Sequence, residues 1–258
     1  GHATTLIQIN DKVFIPDPLF TKTVGMLMRR SIEAGLDPST LSRIDYTLIS
    51  HIHLDHFSYG SLDMLPKNGK LLVPLGALRY TPDFEFREIR ELTPWDALEE
   101  DGVRITAVPV QHFSGRYGFD TPWTRDLGYT GYVIECSGVT VFFGGDTGYH
   151  PELFKEIGRR FSVDVAILPI APIEPRDFMA RNHIDPKEAI QVFEDLGATR
   201  LLPIHHRSLN QGFDPTPMFP VELLRKVADE RGIKDKLIVL EIGEQRVIID
   251  SVSQPSRP

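Results

Sequence analysis

Short apolar runs separated by polar turns fill the first half of the chain, a pattern that predicts β-strands. Two pairs of these runs flank Asn10-Asp11 and Ser137-Gly138, dipeptides of the residue types that favour tight hairpin turns. The predicted strands cover residues 4–9, 13–15, 46–50, 71–74, 103–110, 131–135 and 139–143.

The second half alternates between strand-like and helix-like patterns. The predicted helices cover residues 151–161, 185–196 and 219–231, the strands 165–170 and 201–204, and a closing hairpin 237–241 and 246–249. The best helix start combines Asp185 as a cap, Pro186 in the first turn and Glu188 in a capping-box position, and Gly197 can end that helix. Hairpins followed by strand–helix units predict an α+β fold in which helices cover two mixed sheets. Because the composition has no break, we predict one domain over residues 1–258.

Composition and charge exclude several classes of protein. The 258 residues include 28 basic and 36 acidic side chains, a net charge of −8, so general binding to nucleic acid is not expected. The single cysteine, Cys136, excludes an intrachain disulfide and a thiolate zinc site. No apolar run reaches the roughly 18 residues that a membrane span needs. The sequence opens at Gly1 without an initiator Met, which leaves a trimmed N-terminal signal open, and we expect a cytoplasmic or peripheral membrane protein.

The densest chemistry lies in the segment His51-Ile52-His53-Leu54-Asp55-His56, which follows an apolar run. In an extended chain His51 and His53 point to the same side, and as the chain turns, Asp55 and His56 can face a second centre. Imidazole and carboxylate groups form the ligand set of zinc and similar divalent ions. A polar loop with accidental histidines is the alternative, but four such side chains within six residues favour a metal site.

Three further ligand candidates also follow predicted strands. His112 follows residues 107–111, Asp146 follows residues 141–145, and His205 follows residues 201–204. Functional side chains of α/β proteins gather at strand ends, where loops converge. We therefore expect these three residues to join the histidine motif in one site.

The motif His-x-His-x-Asp-His, followed by His112, Gly-Asp146-Thr and His205, resembles the metallo-beta-lactamase superfamily. Further segments are similar to its N-acyl-phosphatidylethanolamine phospholipase D branch and the bacterial relatives of that branch. These segments are residues 1–4, 15–18, 144–149, 174–179 and 183–189. The likeness extends to about His205, and the chain departs from it at His206-Arg207, where relatives commonly have Trp and Gly.

The resemblance implies a four-layer αββα metallo-beta-lactamase sandwich with two metal ions in a cleft at one edge. It assigns His51, His53 and His112 to one metal, Asp55, His56 and His205 to the other, and Asp146 to a bridge between them. It also implies catalytic roles for Asp55, Asp146 and His183, of which His183 holds or protonates a substrate oxygen. We expect two divalent ions, zinc by preference, with manganese or iron as alternatives.

These residues predict a metal-dependent hydrolase. We favour a phospholipase D-like phosphodiesterase in which a metal-bridging hydroxide attacks a small-molecule or lipid phosphodiester. The same hydroxide would serve a lactone, carboxylic ester or amide hydrolase, and a non-hydrolytic metal-binding protein is the third interpretation. Asp146 stands where a common dizinc beta-lactamase would have cysteine, which argues against antibiotic hydrolysis. The sequence leaves open the exact substrate, the oligomeric state and any peripheral membrane contact.

Several polar residues near the motif have two interpretations. Asp17 is either a turn residue or an acceptor that orients a metal-bound histidine. His2 lies near a strand start and is interpreted as structural, whereas His206 is either a third pocket histidine or faces away from the pocket. Arg176 and Arg181 either pair with a substrate phosphate or form surface salt bridges.

Overall fold

The computed structural model of the chain describes residues 1–25, 28–124 and 127–250. Its strands in chain order are β1 (Ile7–Ile9), β2 (Lys12–Pro16), β3 (Thr23–Val24), β4 (Met28–Arg29), β5 (Tyr46–Leu48), β6 (Lys70–Pro74), β7 (Glu88–Leu92), β8 (Ala97–Glu100), β9 (Val103–Val108), β10 (Gly131–Cys136), β11 (Val139–Phe143), β12 (Val165–Pro169) and β13 (Arg200–Ile204). Its α-helices are α1 (Tyr59–Asp63), α2 (Thr121–Thr124), α3 (Pro151–Arg160), α4 (Arg176–Met179), α5 (Pro186–Asp195) and α6 (Phe219–Glu230). None of the helices in this described part has the length and apolar character needed to span a membrane.

The strands form two main sheets of mixed direction. The first has the order β1-β2-β5-β6-β7, with an antiparallel β1–β2 hairpin and parallel pairs from β2 onward. The second has the order β13-β12-β11-β10-β9-β8, antiparallel from β8 to β11 and parallel from β11 to β13. β3 and β4 form a small separate hairpin. Each main sheet thus combines hairpins with parallel strands, as the sequence patterns predict.

Successive side chains along the strands of the first sheet point alternately to its two faces, and each face contributes to a separate apolar cluster. Phe14, Leu48 and Leu72 face the space between the two sheets, whereas their neighbours Ile15 and Ile49 face the outer side. The outer layer is completed by α1 and by loop residues around it. The strands are therefore buried on both faces.

The second sheet alternates in the same way. Val141 and Phe143 face the first sheet, whereas Phe142 packs outward in one cluster with Phe154 of α3 and Ile190 of α5. Helices thus cover the outer face of the second sheet, and α1 with its neighbouring loops covers that of the first. This arrangement is the α+β, four-layer αββα sandwich that the sequence predicts.

The start of α5 confirms the predicted capping box. Asp185 Oδ1 accepts hydrogen bonds from the backbone N–H groups of Lys187 and Glu188, and the Glu188 carboxylate accepts the N–H of Asp185. Pro186 occupies the first turn, where its missing N–H costs nothing. The loop that carries His183 ends at this cap, so the cap fixes where that loop joins the helix.

The predicted closing hairpin is wrong. Residues 237–249 form no ladder with one another, and Leu237 makes an isolated bridge with Leu201 of β13. Leu240 and Ile248 pack against the core between the two sheets. The alternating pattern of this segment reflects the burial of its apolar side chains on the existing sandwich, not pairing within the segment.

The carboxyl ends of five strands lead into the same region of the molecule. β2 and β5 run in one direction in the first sheet, and β9, β11 and β13 run in one direction in the second. Within four residues of these strand ends the chain presents Asp17, His51, His112, Asp146 and His205. The topology therefore gathers residues that are far apart in sequence, as expected for functional side chains at strand ends.

Candidate metal centre

Three imidazoles form the first ligand group, which consists of His51, His53 and His112. Their ring centroids lie 4.6, 4.7 and 5.2 Å apart, and His53 Nδ1 lies 3.4 Å from His112 Nε2. His51 and His112 are buried and His53 is half-buried. Two nitrogen ligands of one tetrahedral ion, each at about 2.0–2.1 Å, lie about 3.3–3.4 Å from each other. The nitrogens of this group are thus spaced for a shared metal.

The second ligand group consists of Asp55, His56 and His205, all buried. Asp55 Oδ2 lies 3.6 Å from His56 Nε2 and 3.8 Å from His205 Nε2. The two imidazole rings stack with centroids 5.2 Å apart. These atoms are too far apart for good hydrogen bonds but close enough to surround one ion.

Asp146 Oδ2 faces both groups. This oxygen lies 4.0 Å from His51 Nε2 in the first group, and 3.4 and 3.2 Å from the Nε2 atoms of His56 and His205 in the second. The carboxylate is buried, and its Oδ1 atom has no hydrogen-bond partner. Asp146 therefore faces histidines of both groups.

Asp17 lies behind the histidine motif and is fully buried. Its Oδ2 atom accepts hydrogen bonds from His56 Nδ1 at 2.7 Å and from Ser50 Oγ at 2.6 Å. Ser50 Oγ in turn accepts a hydrogen bond from His51 Nδ1 at 2.9 Å. With both Nδ1–H groups engaged, the Nε2 atoms of His51 and His56 are the ring nitrogens that face the site and are left for a metal. Of the two interpretations of Asp17, the contacts support the acceptor that orients histidines.

The site contains buried polar atoms that lack hydrogen-bond partners. Within the described ranges these are His51 Nε2, His56 Nε2, Asp146 Oδ1, His183 Nδ1 and His205 Nε2. Such atoms are rare in folded proteins, because each one loses its contacts with water and gains nothing in return. Cations would supply the missing partners. The donor set of imidazoles and carboxylates therefore fits two divalent ions.

The two groups differ in charge. Burial lowers the pKa of all three histidines in the first group, which are therefore neutral at pH 7. Burial acts in the same direction in the second group, but nearby carboxylates, above all Asp146, outweigh it. They raise the pKa of His205 to about 9 and that of His56 well above its ordinary value. A metal entering the second group must consequently displace protons.

His183 lies beside both groups. Its Nδ1 atom is 3.6 Å from Asp146 Oδ2 and is buried without a hydrogen bond. Burial lowers its pKa to about 4, so the ring is neutral at pH 7. The preceding residue ties the loop to the first group, because the Asn182 carbonyl accepts a hydrogen bond from His112 Nδ1 at 2.9 Å.

Arg176 supports the same loop from the other side. Its guanidinium pairs with Glu188 of α5 and donates a 2.8 Å hydrogen bond to the His183 carbonyl. The carbonyl of Arg181 accepts a 2.8 Å hydrogen bond from Gln111 Nε2. Of the two interpretations of Arg176, the contacts support the salt bridge within the protein.

Two residues contact the second group without having been predicted to do so. His2 Nε2 lies 3.0 Å from Asp55 Oδ2, and Gln211 Nε2 donates to the same oxygen at 2.6 Å. His2 belongs to one of the segments that carry the family resemblance, which is a sequence signal for it. Gln211 lies outside all of those segments and has no such signal. His206, in contrast, makes no hydrogen bond to Asp55 or Asp146 among the described residues, and its pKa is lowered to about 4, chiefly by burial.

A family model described as the beta-lactamase superfamily domain matches residues 14–206 of the chain. The chain belongs to this superfamily. The matched residues include Asp17, both ligand groups and Asp146, so the family assignment and the geometry refer to the same part of the molecule. The protein is a metal-dependent hydrolase of the metallo-beta-lactamase superfamily with a candidate His/Asp metal site.

Two relatives and one solved structure illustrate this membership. N-acyl-phosphatidylethanolamine-hydrolyzing phospholipase D 1 of Caenorhabditis elegans is 28% identical over 95% of this chain and 73% of its own length. A metal-dependent hydrolase of Methanoregula boonei is 30% identical over 81% of this chain and 80% of its own length. The crystal structure of an isothiocyanate hydrolase from Delia radicum gut bacteria superposes with a TM-score of 0.74 at 20% identity, covering 94% of this chain and 95% of that one. The last comparison shows the shared fold.

Proposed function

We propose that this hydrolase is a dimetal phosphodiesterase of the phospholipase D type. The observation that carries the proposal is the position of Asp146 Oδ2, which lies within 4.0 Å of His51 Nε2 and closer still to the Nε2 atoms of His56 and His205. One carboxylate oxygen is thereby placed to serve two cations at once. Two ions held side by side suit an in-line displacement at phosphorus, where attacking and leaving oxygens both need stabilisation.

Each ligand group has a distinct assignment in this proposal. The first group would hold one divalent ion through three neutral imidazoles. The second would hold the other through Asp55, His56 and His205, and Asp146 would bind both. When bound, two such ions lower the pKa of water and stabilise negative charge on the reacting phosphate. We favour zinc, because nitrogen-rich sites of this kind suit it, with manganese or iron as alternatives.

His183 would contribute a hydrogen bond to the substrate. Its ring is neutral and partly buried, and its Nδ1 atom is buried beside Asp146 with no hydrogen-bond partner among the described residues. A neutral imidazole donates an N–H to a phosphoryl oxygen more readily than it gives up a whole proton at pH 7. We therefore assign His183 to holding a non-bridging oxygen of the phosphodiester.

The relatives add support for the class of substrate. The Caenorhabditis elegans relative, which matches 95% of this chain, is named for hydrolysis of N-acyl-phosphatidylethanolamine. That compound is a lipid phosphodiester. A small-molecule or lipid phosphodiester is accordingly the substrate class that we propose.

Metal analysis combined with a substrate panel tests this function. The panel contains bis(p-nitrophenyl) phosphate, N-acyl-phosphatidylethanolamine, a p-nitrophenyl carboxylic ester and a lactone, assayed on protein reloaded with zinc or manganese. We expect two metals per chain and a higher kcat/KM for the phosphodiesters than for the ester and the lactone. A preference for the lactone or the ester would contradict the phosphodiesterase. Two bound metals without turnover of any substrate would contradict hydrolysis.

A further inference from the structure

His2 is packed into the metal centre although it lies far from the ligand motif in sequence. Its ring centroid is 4.1 Å from that of His205 and 5.2 Å from that of His56, and the residue is buried. Its Nε2 atom lies 3.0 Å from Asp55 Oδ2. His2 thus contacts all three members of the second ligand group.

The backbone holds His2 in this position at both of its polar groups. The N–H of His2 donates to Ser208 Oγ at 2.7 Å, and its carbonyl accepts the N–H of His205 at 3.0 Å. His2 and His205 both have positive φ angles, 58° and 59°, in the left-handed region that residues other than glycine rarely adopt. Backbone held in such a region is over-determined by its surroundings and is common at functional sites. The two histidines are thus fixed relative to each other.

The contact of His2 is a hydrogen bond, unlike the contacts of the expected ligands. His56 Nε2 and His205 Nε2 have no hydrogen-bond partner and lie 3.6 and 3.8 Å from Asp55 Oδ2. His2 Nε2 is 3.0 Å from the same oxygen and is satisfied by it. His2 lies with Asp55, His56 and His205 in a group whose possible ligand atoms are all within 4.8 Å of one another. Because a carboxylate only accepts, the hydrogen bond to Asp55 places a proton on His2 Nε2, and a nitrogen that carries this proton has no lone pair to give to a metal.

Asp55 needs such a partner because its orientation decides whether the second group can close around an ion. Gln211 Nε2 donates to the same Oδ2 atom at 2.6 Å, so two N–H groups from different parts of the chain grip one oxygen. His2 is the buried one of the two, whereas Gln211 is only partly buried. Partners of this kind fix the geometry of a metal-binding carboxylate and commonly change metal affinity about 10–100-fold.

We propose that His2 is a positioning residue that holds Asp55 by an Nε2–H hydrogen bond and thereby sets metal affinity at the second ligand group, but not at the first. The proposal rests on the metal centre and is independent of whether the substrate is a phosphodiester. It concerns the retention of an ion, which is measurable without any substrate.

The experiment compares His2→Gln with His2→Leu in the full chain. Both side chains fill similar space, but only glutamine keeps an N–H near the position of Nε2. Metal-free protein is titrated with Co²⁺, and binding is followed by visible absorption and by competition with a chelating dye. His206→Leu is the matched control, because it changes a neighbouring histidine that does not contact Asp55. Circular dichroism establishes that each variant is folded.

We expect His2→Leu to weaken one of the two Co²⁺ sites by about 10–100-fold and to leave the other unchanged. His2→Gln should recover most of that affinity, and His206→Leu should bind like the parent. Unchanged affinity in His2→Leu would overturn the proposal. Equal loss in the glutamine and leucine variants would also overturn it, because an imidazole ligand or a packing role would then be at work. If His2→Leu does not fold, His2→Gln alone decides, since loss of the second site in the folded variant contradicts rescue by an N–H donor.

Discussion

The two ligand groups differ in the protonation of their histidines in the metal-free protein. The first group consists of three neutral imidazoles, whereas nearby carboxylates keep the two histidines of the second group protonated. The partners behind them differ accordingly. His112 rests on the backbone carbonyl of Asn182, a neutral acceptor, while His56 rests on the carboxylate of Asp17. The first group offers the lone pairs of neutral imidazoles. The second offers the negative charge of carboxylates, which protons on its histidines balance until a metal replaces those protons. A dimetal site can thus be built from two halves that bind ions for different electrostatic reasons.

Exposure separates the two halves as well. His53 of the first group is half-buried and contacts Phe113 edge-to-face, with ring centroids 4.8 Å apart, and Phe113 is 36% exposed. The second group is buried throughout and is backed by Asp17, with His2 at its side. The open side of the centre therefore lies at the first group. We expect a substrate to approach from there.

Asp146→Asn should produce the largest effect, because it removes a carboxylate whose Oδ2 atom faces both groups. We expect loss of at least one of the two metals and a fall in kcat/KM of more than about 1000-fold, beyond the about 10–100-fold typical of residues that only orient a ligand. Metal content and turnover of a chromogenic phosphodiester measure this. Asp17→Asn is the matched control, with the same chemical change one hydrogen bond away from the ligands. Equally mild effects in the two variants would contradict the bridging position.

His183→Ala should affect turnover while sparing both halves of the metal centre. Removal of one hydrogen-bond donor to a charged transition state typically costs about 10²–10³-fold in kcat. Because the ring is neutral at pH 7, we expect similar losses on a nitrophenyl and on an alkyl phosphodiester, with two metals retained. A larger loss on the alkyl substrate would instead show that His183 donates a proton to the leaving group. Loss of metal would show that it is a ligand.

The smallest expected effect is the pH dependence of the stability of the metal-free protein. The histidines of the two ligand groups should change that stability in opposite directions as pH rises. The folded-state pKa of His205 is raised to about 9, so its stabilisation is complete below the unfolded value of about 6.5 and is lost as pH rises through about 9. The depressed pKa values of His51 and His112 have the opposite consequence. Below about pH 6.5 these two histidines bind protons in the unfolded chain but not in the folded protein, so the free energy of unfolding falls as pH decreases. We expect a maximum in thermal stability near pH 6.5.

Thermal unfolding of chelator-treated protein between pH 4 and pH 9.5 measures this profile. The His205→Gln variant should show a smaller decline on the alkaline side, where the raised pKa of His56 still contributes, and should keep the decline on the acid side. A parent protein that gains stability steadily up to pH 9 would contradict the difference in charge between the two groups.

Local patterns predicted two mixed sheets covered by helices and the start of α5, whereas the four-layer αββα sandwich was an implication of the family resemblance. Asp185 and Glu188 meet across a single helical turn, so their spacing alone reveals the capping box. The prediction of the closing hairpin was wrong because Leu240 and Ile248 are apolar for another reason: they pack against a surface that other segments form. The pattern of apolar and polar residues indicates that a residue is buried, but it does not show which other residues it packs against.

The residues of the candidate site also fall into those that the sequence reveals and those that only the tertiary structure reveals. The ligand motif was visible because four of its side chains fall within six residues, and the strand-end rule drew attention to the more distant ligand candidates. Gln211 could not be found so, since its only link to the site is a contact with Asp55, 156 positions away in the chain. Contacts of this kind depend on tertiary structure, which no local pattern encodes.

The hydrogen-bonded chain from Asp17 through Ser50 to His51, with its branch to His56, has a consequence for how metals arrive. These bonds lie within the protein and set the ring orientations of one histidine in each group. Rings that are already oriented lose little conformational freedom when an ion enters, so more of the coordination energy remains as affinity. The same chain joins the two groups mechanically. A change that tilts the ring of His51 through this chain will therefore also shift the ring of His56, and the reverse holds as well.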